Sequence, residues 1–451
     1  MHISRCSTLL LALLLNSVVA LAAPDGNGNH DNKHWTGIWA TMPQLTEPAN
    51  LPPAPYNASG VVFQNATIRQ TVKVALSAET IRLRLSNAFG GSDLPITAAT
   101  IALPANRNGS TGLSAIDAAT VQPLTFSGGS ANYTIPMGAL AVTDPIEFPV
   151  EPGSVVSISL YLAAGQTTNL ITSHPGSRTT SYFAPGNVVS AADVVTAESA
   201  PSSSRAEHWY FISALEAWLP RSQTSALAIV GDSITDGRGS TTNQNDRWPD
   251  RLQARLNSRP GPHPAHNNKI AILNQAAGGN RVLQDGLGPN ALSRLDRDVL
   301  AQLGIRYVLL FEGVNDIGAA PVDPLTQKDL GTRLLAAYDQ IVTRCHAARL
   351  PVIGATITPF SGGAPGLQPY SDPERERTRQ RVNAWIRDSG RFDAVVDFDA
   401  LVRNASRPDR LADAYNSGDY LHLNPAGYEA MGGAVDLALF DRFADGVDRM
   451  V

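Results

Sequence analysis

Ala226-Leu227-Ala228-Ile229-Val230-Gly231-Asp232-Ser233-Ile234-Thr235-Asp236-Gly237 is the stretch on which the reading of this chain turns. Five wholly apolar residues run into a glycine and then into small, turn-forming residues around one hydroxyl. A short strand apolar on both faces belongs to a parallel sheet covered by helices. Similar runs follow at 270–273 (IAIL), 307–311 (YVLLF), 352–355 (VIGA) and 394–396 (AVV). Between them lie stripes at helical spacing: Leu292, Leu295, Val299 and Leu303, then Leu334, Tyr338, Ile341 and Val342. The expectation is an open, five-stranded parallel α/β sheet, with its chemistry at the carboxyl ends of the strands.

Upstream, the period changes. Residues 66–74 (ATIRQTVKV), 80–85 (TIRLRL) and 155–162 (VVSISLYL) read as strands, divided by turn clusters such as 87–91 (NAFGG) and 127–129 (SGG). Short strands at this spacing predict an all-β sandwich or jelly-roll-like domain. The plan is a flexible leader over 23–34, a β-rich accessory domain over 35–218 and the α/β domain over 219–451. A glycan would meet the β half through exposed aromatics, for which Tyr56, Tyr133 and Tyr182 are the candidates.

Residues 1–22 read as a secretory signal peptide. Arg5 precedes the apolar run 9–22 (LLLALLLNSVVALA), and Ala20-Leu21-Ala22 offers a small-x-small cleavage site. The run is shorter than the ~20 residues of a membrane span and is interrupted by Asn16. Cleavage removes Cys6 and leaves Cys345, whose helical pattern with Ile341 and Val342 predicts buried packing. Asn57, Asn65, Asn108, Asn132 and Asn404 head Asn-x-Ser/Thr sequons and are glycosylation candidates. A secreted, extracellular protein is expected. The 35 Lys and Arg against 40 Asp and Glu give a net charge of −5, which argues against a nucleic-acid partner.

The strand ends carry the chemistry. Ser233 follows the first strand on a tight turn, and a serine needs a neighbouring base to become a nucleophile. Gly279 follows the second strand, where glycine lets a backbone N–H approach a ligand. Asn315 follows the third and offers an amide donor. Asp419 and His422 lie three residues apart on the loop after the last strand. Together they fit acyl transfer: His422 as general base to Ser233, Asp419 orienting the imidazole, and Ser233, Gly279 and Asn315 as oxyanion donors. Singly, each has a structural reading, as a turn, a helix cap or a core histidine. Their ordered placement on one sheet favours the catalytic one. His263, His266 and His346 are poorer bases by position, and Asp397 and Asp399 are the alternative orienting acids. No Gly-x-Ser-x-Gly elbow, His-Glu-x-x-His helix or phosphate loop occurs.

Gly231 to Gly237, Gly279, Gly313-Val314-Asn315-Asp316 and Asp419-Tyr420-Leu421-His422 resemble the ordered blocks of the SGNH hydrolases, the GDSL esterase/lipase superfamily, over about residues 222–440. Ile234 stands where the eponymous motif has leucine. The resemblance implies a flavodoxin-like three-layer α/β/α domain and ester hydrolysis through an acyl-serine, without a metal or other cofactor. It assigns Ser233, Asp419 and His422 to the triad, and Ser233, Gly279 and Asn315 to the oxyanion hole. Upstream, 35–41 (WTGIWAT), the β region and Arg247-Trp248-Pro249-Asp250 resemble secreted members with an N-terminal β-domain, the xylanase-cluster esterase type. That implies an acetylated plant polysaccharide as substrate. The expected activity is hydrolysis of short-chain esters, acetyl foremost. The polar loop 238–247 (RGSTTNQNDR) offers no apolar lid and disfavours the alternative of a lipase or phospholipase. A second alternative is a non-catalytic glycan-binding protein, against which the filled Ser-Asp-His set argues.

Overall fold

The computed structural model describes residues 32–106, 110–195, 204–259, 269–363 and 366–448; the expected signal peptide, Asn108, His263 and His266 lie outside the described residues. Strand β1 (Lys33–Ala40) begins inside the expected leader. It pairs antiparallel with β2 (Ile212–Pro220), setting Trp35 opposite Trp218. The strand Ala78–Ser86 pairs with β2 on one side and with Ile146–Val150 and Leu140–Val142 on the other. A second antiparallel sheet of six strands is built around Ala66–Lys73 and Val155–Leu162. Apolar residues of both sheets, among them Ile38, Leu83, Ile68, Ile158 and Phe183, share one core, making a sandwich. Each such side chain contributes about 1.5–3 kcal/mol when fully buried.

The tyrosines named for glycan contact differ in fate. Tyr56 is 3% exposed and packs on Phe63 and Phe183, so it is a core residue. Tyr182 is half-buried, its hydroxyl donating to the Gly112 carbonyl at 3.1 Å. Tyr133 is exposed and stacks on Phe126.

The change from antiparallel to parallel pairing falls between Pro220 and Thr224. Strands β3 (Thr224–Gly231), β4 (Lys269–Ala276), β5 (Ile305–Phe311), β6 (Val352–Ala355) and β7 (Ala394–Val396) form one all-parallel sheet in the order β4-β3-β5-β6-β7. Every residue of β3 is buried, as its unbroken apolar run requires. The helices form two packed groups. α2 (Trp248–Ser258) and α7 (Phe398–Val402) pack on α8 (Pro425–Ala434), while α3 (Ala291–Leu295), α4 (Val314–Ala319), α5 (Pro324–Ala347) and α6 (Pro373–Asp388) pack together. Cys345 is buried on α5.

One expected helix is cut short. The stripe from Leu292 to Leu303 is helical only through α3 and a π-turn over Asp296–Leu300, after which the chain turns at Gly304, φ +78°. The space is taken by β1: the Gly37 N–H donates to the Leu303 carbonyl at 3.0 Å, and Leu273 lies so close to Gly37 that a Cβ there would come within 2.8 Å of it. Ala226, Ala271 and Leu273 of the parallel sheet accordingly belong to the sandwich core. Among the described residues no helix is long and apolar enough to cross a membrane.

Candidate active site

Strand β3 ends at Gly231, where any Cβ would collide with Thr235. Asp232 then caps a single helical turn, α1 (Ser233–Asp236), accepting the Ile234 N–H at 2.9 Å. The turn closes at Gly237, whose φ of +98° favours glycine. The Ser233 carbonyl accepts the N–H groups of Gly237 and Arg238, each at 2.9 Å. Beneath the turn, the fully buried Trp248 donates its indole N–H to Thr235 Oγ1 at 3.2 Å and packs on Phe398. Ser233 is thus held from both sides.

The loop before α8 supplies the base. His422 Nε2 lies 2.7 Å from Ser233 Oγ, and its Nδ1 lies 2.6 Å from Asp419 Oδ2. The other carboxylate oxygen, Oδ1, accepts the N–H groups of His422 at 2.8 Å and Leu421 at 3.0 Å. Burial alone would raise the Asp419 pKa, but the hydrogen bond and charge of His422, with those N–H groups, hold it well below the usual carboxylate range. For His422, burial outweighs the raising effect of Asp419 and, helped by the charges of Arg238 and Arg178, lowers the pKa. The neutral, proton-accepting ring is therefore favoured. Asp397 and Asp399 are engaged elsewhere, on Arg387 and Arg379.

The donors face the same place. Gly279 takes φ +68°, and among the described residues neither its N–H nor that of Ser233 meets an acceptor. Asn315 is set by two bonds: Nδ2 donates to the Asn280 carbonyl at 2.8 Å, and Oδ1 accepts the Tyr370 hydroxyl at 3.0 Å. The second Nδ2 hydrogen remains to be offered to an oxyanion. Asp316 pins the Gly279 loop from below, accepting from Val282 at 2.8 Å and Leu283 at 3.0 Å. Arg294 ties the strand ends together, donating to Gln275 O at 2.6 Å and Asn280 Oδ1 at 2.9 Å, with Glu312 and Asp298 as partners. Burial, with the neighbouring carboxylates, raises the Asp232 pKa to about 7 and pushes Glu312 well above its ordinary value.

Sequence reasoning did not find Tyr370, Arg294 or the contribution of the β half. The loop after Arg238 is fastened to that half: Thr111 Oγ1 donates to the Asn243 carbonyl, Asn243 N–H donates to Arg178 O at 2.8 Å, and Thr180 N–H donates to Asn243 Oδ1 at 2.8 Å. His174 from the β half reaches Asp236 Oδ1 at 2.9 Å through Nε2, while its Nδ1 meets the Met42 carbonyl at 3.0 Å. Asp236 follows Ser233 by one turn, and this spacing was the only signal available. Among the described residues, no group of His, Cys, Asp and Glu is arranged to hold a metal ion.

Residues 229–430 match the model of the GDSL-like lipase/acylhydrolase family. No curated protein matches the chain. Solved structures similar to it include a GDSL-like lipase of Bacteroides thetaiotaomicron, 18% identical, covering 48% of this chain and 89% of its own, with a TM-score of 0.34. A carbohydrate acetylesterase of Sinorhizobium meliloti is 15% identical, covering 49% of this chain and 99% of its own, TM-score 0.35. An aryl esterase of M. smegmatis is 16% identical, covering 49% and 100%, TM-score 0.35.

Proposed function

We propose, from the premise that this chain is an SGNH-superfamily carboxylic ester hydrolase with its GDSL-like lipase/acylhydrolase domain at residues 229–430, that it is a secreted serine esterase removing short acyl groups, acetyl foremost, from a polysaccharide. The observation that carries the mechanism is the hydrogen-bonded row Asp419–His422–Ser233, with contacts of 2.6 and 2.7 Å. Ser233 Oγ attacks the ester carbonyl while His422 Nε2 takes its proton. The oxyanion is received by the Ser233 and Gly279 N–H groups and Asn315 Nδ2. The tetrahedral intermediate collapses, His422 returns the proton to the departing alcohol, and an acyl-serine remains. Water, deprotonated by His422, then releases the acid and restores Ser233.

The short-chain preference is supported by the polar loop 238–247, whose bonds to Thr111, Arg178 and Thr180 fasten it to the β half. A lid for long chains would need apolar surface and freedom to open. The test has two stages. Ser233→Ala and His422→Ala should each abolish p-nitrophenyl acetate turnover, and a wild-type rate in either refutes the assignment. Rates on acetyl, butyryl and palmitoyl esters should fall with chain length, and acetate release should be seen from acetylated xylan or pectin. If only aryl acetates respond, the polysaccharide part fails and the esterase stands.

A further inference from the structure

At the opposite end of β3 from Ser233, the sandwich and the parallel sheet enclose a groove of about 630 Å³. Among the described residues its lining carries Lys33, Arg82, Arg221 and Arg306 and no carboxylate, in a chain whose net charge is −5. Among the described residues Lys33, Arg221 and Arg306 form no ion pair. Burial, followed by the charges of Arg221 and Arg306, holds the His34 imidazole below its ordinary value, so those cations converge on the groove. Two indoles line the same wall. Trp35 and Trp218 face each other across β1 and β2 with ring centroids 5.3 Å apart, and Trp218 is 39% exposed. Arg82 is fixed over Trp35 at 4.0 Å by its 2.7 Å bond to Glu216. Both indoles therefore stand on rigid strands.

We propose that this groove binds a segment of an acidic, carboxylate-bearing polysaccharide, independently of the catalytic centre. An indole face accepts the C–H face of a sugar ring, and arginine forks match carboxylates in bidentate geometry. With Arg82 paired to Glu216, the three unpaired cations Lys33, Arg221 and Arg306 suit carboxylates spaced one per sugar. They form too narrow a patch for a nucleic acid, whose closely spaced phosphates are met by a wider basic surface. The eight residues of β3, from Thr224 in the groove wall to Gly231 beside Ser233, set the two sites roughly 25 Å apart. Binding here places the hydrolytic centre clear of the bound segment.

The test is calorimetric titration of the full chain with oligogalacturonate, neutral xylo-oligosaccharide, a single-stranded oligonucleotide and anionic phosphatidylserine vesicles, at low and high salt. Oligogalacturonate should bind, weaken as salt is raised, and bind at least tenfold more weakly to Trp218→Ala and to Arg221→Glu/Arg306→Glu. Turnover of p-nitrophenyl acetate by both variants should equal wild type, which separates this proposal from the catalytic reading. Should the charge-reversed protein not melt like wild type, Arg221→Gln/Arg306→Gln replaces it. Equal binding of the neutral sugar, unchanged affinity in the variants, or equal binding of oligonucleotide or vesicles with no effect of Trp218→Ala would each overturn the proposal.

Discussion

Replacing Asp419 by asparagine tests the catalytic row more sharply than deleting any member of it. Asp419 accepts three N–H groups: His422 Nδ1 at 2.6 Å and the backbones of His422 and Leu421 at 2.8 and 3.0 Å. An asparagine oxygen can keep both backbone bonds, so the loop holds its shape. Its NH2 group then faces Nδ1, which must turn into an acceptor, leaving the ring proton on Nε2 and pointing at Ser233 Oγ. That tautomer cannot take the serine proton. The expected loss in kcat is ~10³- to 10⁴-fold, or about 4–5.5 kcal/mol of transition-state stabilisation. The Asp419 side chain is 39% exposed, so solvent screens its charge and folding stability should change by about 1 kcal/mol or less. Hydrolysis of p-nitrophenyl acetate and thermal melting, on the same preparation, measure both quantities. A folded Asp419→Asn retaining more than a tenth of wild-type kcat would refute the reasoning, since Asp397 and Asp399 are committed to arginines and cannot substitute.

Tyr370→Phe frees the Asn315 carbonyl and should lower kcat about tenfold with KM nearly unchanged; equal losses in KM would indicate a substrate-binding role instead. Arg238→Gln and Arg178→Gln each remove a charge that lowers the His422 pKa, so the acid limb of the kcat/KM profile should move to higher pH, and an unmoved limb would contradict the assigned cause. Asp232 has a folded pKa near 7, above its ordinary 3.8, chiefly through burial. Its stabilising effect is full below the lower value and is lost as pH rises through about 7; Asp232→Asn should therefore flatten the fall in melting temperature between pH 4 and 8. Trp248→Ala empties a fully buried site under the nucleophile turn and should cost about 3–5 kcal/mol, read from denaturant unfolding.

The parallel sheet was legible because strands buried on both faces leave unbroken apolar runs, and the reacting groups were legible because such a sheet gathers its strand ends. The truncated helix after Leu292 was not: its apolar stripe is real, but β1, more than two hundred residues earlier, fills the space where it would continue. Tyr56 failed as a surface aromatic because it sits in a turn that folds back onto Phe63 and Phe183, a packing no local pattern records. Trp218 drew no assignment, since nothing local separates an exposed indole from a core one. Tyr370 lies in a segment without periodicity, and only its bond to Asn315 gives it meaning. Arg178 and His174 approach the nucleophile from the other half of the chain, a proximity no sequence spacing records.

The burial of Ala226, Ala271 and Leu273 in the sandwich core bears on dissection of the protein. A minimal catalyst made by cutting at Pro220 would lay bare the flank of β3 and β4 and unfasten the loop that follows the reactive serine. The accessory portion is thus no detachable passenger. Shortening should begin from loop tips such as the turn at Ser127 to Gly129, where no shared core is opened.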